Sequence, residues 1–166
     1  MTTTATIAIS PLTTAQRRVA RHLIRGADNQ YIAAHAHLSP GTVKNHISNI
    51  REKLNCPPRS TRAVLVHALL THRQVPPPAV PCPDVDLGTE ERNLLRAIAD
   101  HSHADDIAEA ADIAPADLRA RTAALIDKTG AEDSAHLVGI GHALAVLEAA
   151  GSDTPGPRDA PEGAAR

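Results

Sequence analysis

One pattern is written twice in this chain. Residues 12 to 70 can be laid over residues 87 to 145 without a gap at an offset of 75, which pairs Leu12 with Leu87, Arg17 with Arg92, Ile32 and Ala33 with Ile107 and Ala108, Pro40 with Pro115, and Lys53 with Lys128. The run His67, Ala68, Leu69 falls on His142, Ala143, Leu144. A repeat constrains the fold more than local propensity does, because whatever unit the first copy forms, the second is expected to form again. The copies differ in charge: the first carries nine cations and two acids, a net of +7, and the second five cations and eleven acids, a net of −6. The whole-chain charge of −2 conceals this division. Asymmetry of this kind points to an anionic partner for the first copy alone.

A 59-residue copy lies near the size at which only ~60% of the unfolded chain's surface is buried on folding, so two copies packed together are expected. With one Tyr and no Phe or Trp, the core must be built from Leu, Ile, Val and Ala, and no aromatic platform for single-stranded nucleic acid is available. Cys56 and Cys82 are the only cysteines, which excludes a disulfide framework and paired-cysteine zinc spacing and leaves free thiols as the expectation. No apolar run approaches the ~20 residues of a membrane span, and Met1 to Ser10 lacks a basic start. A cytoplasmic protein without membrane contact or cofactor is expected.

The helix signals follow one another closely. Thr13 and Gln16 have the spacing of a capping box opening helix one, Gly26 stops it, and Asp28 is placed to cap a short helix two that carries Ile32 and Ala33 inward. Ser39 and Pro40 open helix three as N-cap and first residue, and Val43, Ile47, Ile50 and Leu54 give it one apolar face. At ~100° per residue the opposite face is Gly41, Lys44, Asn45 and Ser48, with Arg51 on its flank. Helix four, from about Ser60 to Leu70, is apolar all round, as is its counterpart from Leu137 to Leu147. Neither copy is large enough to surround such a helix, so helix four against helix four is the expected interface, with Val64, His67, Leu69, Ile140, His142 and Leu144 in it. Five prolines in residues 74 to 86 favour an extended, semi-rigid spacer, and residues 1–11 and 151–166 read as disordered.

The stretch LTTAQRRVARHLIRGADNQYIA, then LSPGTVKNHISNIREKL, then a closing helix preceded by Arg59, resembles the LuxR-type (GerE-type) helix-turn-helix domain of bacterial transcription regulators, without interruption over residues 12 to 70. Where that family usually has glycine in the turn between helices two and three, this chain has His37, one of the residues enriched at positive φ. The resemblance implies a third helix that enters the major groove, with Lys44, Asn45 and Ser48 at base edges. That chemistry is sound, since lysine donates to guanine and asparagine pairs bidentately with adenine. Asn29, Gln30, Thr42, Arg51, Lys53 and Arg59 are placed to meet phosphates, which set register and affinity rather than sequence choice. Related domains bind as dimers on half-sites about one turn, ~34 Å, apart. The arginines of helix one, Arg17, Arg18, Arg21 and Arg25, read as a soluble surface.

In the second copy the groove-facing positions Gly41, Lys44, Asn45 and Ser48 become Ala116, Arg119, Ala120 and Ala123. Alanine has no hydrogen bond to offer a base, and Asp105, Asp106, Asp112, Asp117 and Asp127 would repel phosphates. The cap Ser39 becomes Ala114, while Pro115 is retained at the expected first helical position and Gly130 stands where the first copy has Asn55. Gly139 and Gly141 on the last helix allow a close approach, at ~1 kcal/mol each in helix propensity. His35 with His37 and His101 with His103 form His-x-His pairs with no completing ligand, so no metal site is expected.

The expected architecture is therefore all-α: a basic LuxR-type unit (12–73), a Pro-rich linker (74–86) and an acidic, degenerate helix-turn-helix unit (87–150), packed as an intrachain pseudo-dimer through their fourth helices. The expected function is sequence-specific binding of double-stranded DNA in transcription regulation, with the second unit serving assembly and a homodimer or another LuxR-type regulator as partner. The competing reading is an adaptor or antagonist that pairs with another LuxR-type regulator. Sigma-factor region four shares the core pattern, but the apolar fourth helix favours the LuxR type. No nucleophile with a neighbouring base and no phosphate-binding glycine loop points to an enzyme.

Overall fold

The computed structural model describes residues 9–147. The expected disordered tail and the first eight residues of the expected disordered N-terminus lie outside the described residues. Eight helices and no strand are found within them, in the order α1 (Thr14–Leu23), α2 (Asn29–Ala36), α3 (Pro40–Lys53), α4 (Arg62–Thr71), α5 (Thr89–Asp100), α6 (Ala104–Ala111), α7 (Leu118–Thr129) and α8 (Ser134–Ala143). None is long and apolar enough to cross a membrane.

The local caps set most of these boundaries. Thr13 and Gln16 form the capping box of α1, Asp28 caps α2, and Ser39 caps α3 with Pro40 in its first turn. In the second half, where Ala114 replaces the Ser39 hydroxyl, residues 115–117 form only a turn and α7 begins at Leu118. Pro115 is therefore not the first residue of that helix, because without a cap the orphan N–H groups have nothing to hold the first turn. Ile9 packs against the core and the Pro11 carbonyl accepts from Lys53, so these two residues of the stretch 1–11, which composition assigns to disorder, are tied to the fold.

The uniform offset of 75 fails in the last helix. The pairs α1 with α5 and α2 with α6 begin 75 residues apart, but α4 and α8 begin and end 72 apart, the difference between 62 and 134 and between 71 and 143. The connection before α8, residues 130–133, is shorter than residues 54–61 before α4, and Thr61 and Asp133 are the true corresponding caps. His67 and His142 are thus not at equivalent points of their helices. Helix four runs from Arg62 rather than Ser60, and its counterpart ends at Ala143, leaving Leu144 as its C-cap and Leu147 beyond it.

α4 and α8 lie against each other, and α5 closes on both. Leu65, Val66 and Leu69 from α4, with Leu137, Val138 and Ile140 from α8, are fully buried, each worth about 1.5–3 kcal/mol of hydrophobic stabilisation. Val64, His67, His142 and Leu144 are half-buried. A Cβ at Gly139 would lie 2.8 Å from the Ile24 carbonyl oxygen and 2.9 Å from Pro78 Cγ, and one at Gly141 would lie 2.7 Å from Leu95 Cδ2. Both glycines therefore mark close packing. The linker is not a free spacer: Val75 and Pro78 are buried, and Pro81 meets Gly130.

The two halves also meet through histidines. His67 Nδ1 lies 2.9 Å from His142 Nε2, and His67 Nε2 lies 3.5 Å from Asp100 Oδ1 on α5. One nitrogen of the close pair must carry the hydrogen and the other must be bare, so two imidazolium rings do not fit. Burial and the neighbouring His67 push His142 down to about 4. Burial also lowers His67, opposed by Asp100 and assisted by His72.

Two outcomes are expected. Gly139→Ala removes a helix penalty of ~1 kcal/mol, yet the added carbon has only backbone and proline to displace, so urea denaturation should show a net loss of about 1–3 kcal/mol; a stabilised variant would contradict the close packing. A histidine held below its ordinary value of 6.5 binds fewer protons folded than unfolded, so its contribution is complete above that pH and lost as pH falls toward about 4. The urea midpoint should therefore drop between about pH 7 and about pH 5, and His142→Phe should flatten the profile. An equally steep profile in the variant would remove His142 from this account.

Candidate nucleic-acid interface

The candidate face is built by two short helices and the turn between them. At the end of α2, His37 takes the left-handed conformation, φ 56° and ψ 45°, and the Leu38 N–H returns to the Ala33 carbonyl at 2.9 Å. This lets the chain reverse without glycine. Ser39 Oγ then accepts from the Thr42 N–H at 3.1 Å and contacts Thr42 Oγ1 at 2.8 Å, so the half-buried Thr42 is fixed at the start of α3.

Along α3, Val43, Ile47 and Ile50 are buried against α1 and α2, which turns Gly41, Lys44, Asn45 and Ser48 outward, all exposed. The side chains of Lys44, Asn45 and Ser48 make no hydrogen bond or ion pair among the described residues, as expected of a surface that awaits a ligand. Arg59 and Gln30 are likewise exposed. Arg51 is half-buried, with an Nε that is sealed from solvent and unpartnered. Burial and then the Arg62 charge hold its guanidinium below the usual arginine range, opposed by Cys56. Burial pushes the Cys56 thiol up, which keeps it protonated and unreactive.

Lys53 and Asn29 also have partners within the chain. Lys53 Nζ donates to Gln16 Oε1 at 2.8 Å and to the Pro11 carbonyl at 3.2 Å. Gln16 is the capping-box residue whose Oε1 also accepts from Thr13 N at 3.0 Å, so Lys53 ties the end of α3 to the start of α1. The second half has the same strut, with Lys128 Nζ bonded to Glu91 Oε2 at 2.8 Å and Glu91 accepting from Gly88 N. Asn29 presents its Oδ1 to Arg62 Nη2, and Arg62 Nη1 donates to the Ala27 carbonyl at 2.9 Å. Sequence patterning does not select Arg62, because nothing local marks a guanidinium as reaching from the start of α4 to the α1–α2 turn.

Residues 10–66 match one family: Bacterial regulatory proteins, luxR family. The match runs from the segment before α1 into α4 and includes every residue of the exposed α3 face. The first half therefore carries a LuxR-family helix-turn-helix domain, of the kind found in DNA-binding transcription regulators. No curated protein and no solved structure matches the chain.

Beside the LuxR-family domain, the corresponding surface of the second half keeps a cation but loses two of its three polar side chains to alanine. Arg119, Ala120 and Ala123 are exposed on α7, and Asp105, Asp106, Asp112 and Asp117 are exposed around them. Asp112, at the position of His37, is also left-handed, with φ 55°. Among the described residues no group of three or more His, Cys, Asp or Glu is placed to hold a metal.

Alanine substitutions separate the surface from the scaffold. Lys44→Ala, Asn45→Ala and Ser48→Ala should each change unfolding free energy by no more than about 0.5 kcal/mol, as exposed positions do. Lys53→Met should cost about 1 kcal/mol, a charged hydrogen bond discounted for its exposure. Equal losses at Lys44 and Lys53 in denaturant titrations would show that α3 has no free face.

Proposed function

We propose that this chain is a sequence-specific regulator of transcription that binds double-stranded DNA with one recognition helix, α3, and uses its second half for assembly. Lys44, Asn45 and Ser48 read base edges, and Asn29, Gln30, Thr42, Arg51 and Arg59 meet phosphates. Lys53 serves the scaffold. The observation that carries this reading is the exposed row Lys44, Asn45, Ser48 on a half of net charge +7, set beside a second half that keeps the helices and has alanine at two of the three positions. Each well-made bidentate pair discriminates by ~1–3 kcal/mol against the wrong base.

The second half acts as an internal partner, so that the two helix-turn-helix units form a pseudo-dimer through α4 and α8. Two features support this: the fully buried apolar rows of both helices and the 2.9 Å histidine contact between them. One chain then brings a single competent reader, and tight binding to a paired site needs a second chain or another regulator. A second partner cannot dock on α4 while α8 covers it. An adaptor that pairs through helix four needs that helix free and is the weaker reading for that reason; one that pairs through the acidic second half keeps its exposed surface, and the basic first half weighs against it as a pure antagonist.

Selection of bound duplexes from a random pool by the full-length chain, followed by gel retardation, tests the proposal. One enriched half-site motif is expected, with Lys44→Glu abolishing retardation while circular dichroism stays unchanged. Failure to retard any duplex at low salt would overturn it.

A further inference from the structure

We infer that Arg62 is a positioning residue for DNA binding: it fixes the Asn29 side-chain amide so that Nδ2 is turned outward to donate to a phosphate of the duplex. This rests on the DNA-binding reading above and assigns within it a role that the recognition-helix pattern does not contain.

A guanidinium only donates, so the Asn29 atom facing Arg62 Nη2 must be Oδ1. That contact determines which way the amide lies. Nδ2 is then left with no acceptor among the hydrogen bonds of the described residues, and it is not among the buried unpartnered atoms. Asn29 is half-exposed in the first turn of α2, where the first backbone N–H groups have no intrahelical acceptor. The neighbouring Asp28 carboxylate is already turned onto the Tyr31 N–H at 2.7 Å. Released from Arg62, the amide would be free to flip and present an oxygen to the phosphate, which repels it.

The second half provides an internal control on whether the pair is merely structural. It keeps the Lys53–Gln16 strut as Lys128–Glu91 and the left-handed turn residue as Asp112. It has Ala104 where the first half has Asn29, and Ser134 where the first half has Arg62 once α4 and α8 are aligned on their caps. The same helix order forms there without the pair. Both members are missing from the half that also has alanine in place of Asn45 and Ser48, as a contact made for DNA would be, and as a support needed for the fold would not.

A double-mutant cycle on the full-length chain, read by fluorescence anisotropy on the selected duplex over a salt series, tests the assignment. Arg62→Met and Asn29→Ala should each weaken binding about tenfold, and the double variant should be no weaker than either, because the two act as one unit. The slope of log affinity against log salt should stay at the wild-type value in Arg62→Met; a decrease of about 0.9 would mean that Arg62 itself neutralises a phosphate and would overturn the positioning role. Arg62→Lys should restore part of the affinity. Additive losses, or wild-type affinity in Arg62→Met, would also overturn it. Asn29→Asp keeps an acceptor for Arg62 and should hold the melting temperature while losing affinity, which separates the role from folding. If the wild-type chain retards no duplex, the DNA reading fails and this assignment fails with it; wild-type binding that is indifferent to both residues sinks the assignment alone.

Discussion

The burial of α4 against α8 is the contact on which the rest of the molecule depends. A helix apolar on every side cannot be satisfied by a unit of this size, which leaves one flank wet however the other three helices pack. Here each half supplies the cover for the other. Gly139 and Gly141 serve the other neighbours of α8, since a side chain there would strike the Ile24 carbonyl and Pro78, or Leu95 and Leu147. The proline-rich segment is docked on the same helix, with Pro78 filling the space beside Gly139. A loose linker would have to be ordered each time the halves met, at an entropic cost that the packed prolines avoid.

Sharing that core leaves the outer surfaces free to diverge. The struts Lys53–Gln16 and Lys128–Glu91 join the same two helices in each half, and the turn residues His37 and Asp112 share one conformation, so the scaffold is held by the same local physics twice. The groove-facing positions are among those that differ. Lys44, Asn45 and Ser48 correspond to Arg119, Ala120 and Ala123, and the pair Arg62–Asn29 corresponds to Ser134 and Ala104. Exposed positions away from that face are kept in places, as at Arg17 and Arg92 or Pro40 and Pro115.

The legible part of this structure was the part fixed by neighbours in sequence. Caps at Thr13, Asp28 and Ser39 bond to residues three positions on, and the apolar stripe of α3 is a period along one helix, so both can be read from a window of a few residues. The slip of α8 could not. When every position of a helix is apolar, sliding it by one turn costs almost nothing in pattern, and the matching run His67–Leu69 and His142–Leu144 lent weight to the wrong register. The cap pair Thr61 and Asp133 was the better guide, since a cap must stand at a helix start while an alanine or leucine can stand anywhere. The intramolecular bonds of Lys53 and Asn29 were hidden for another reason. A long cation near the proposed groove reads as a phosphate ligand unless an acceptor is known to lie closer, and Gln16 and Arg62 lie 37 and 33 residues away.

On the proposed reading, the division of charge does more than mark which half meets DNA. A chain with +7 at one end and −6 at the other carries a strong field across its length, although its net charge is small. Approaching a duplex, such a chain is turned before contact, with the basic half drawn in and the acidic half pushed away. The orientation that places α3 at the groove is therefore favoured during encounter, at ionic strengths where the ~10 Å screening length does not erase it. A second basic unit would have added affinity for any sequence, since phosphate contacts are indifferent to bases. An acidic one contributes the missing wall of the core and subtracts from that indifferent binding, leaving discrimination to the one helix that can read.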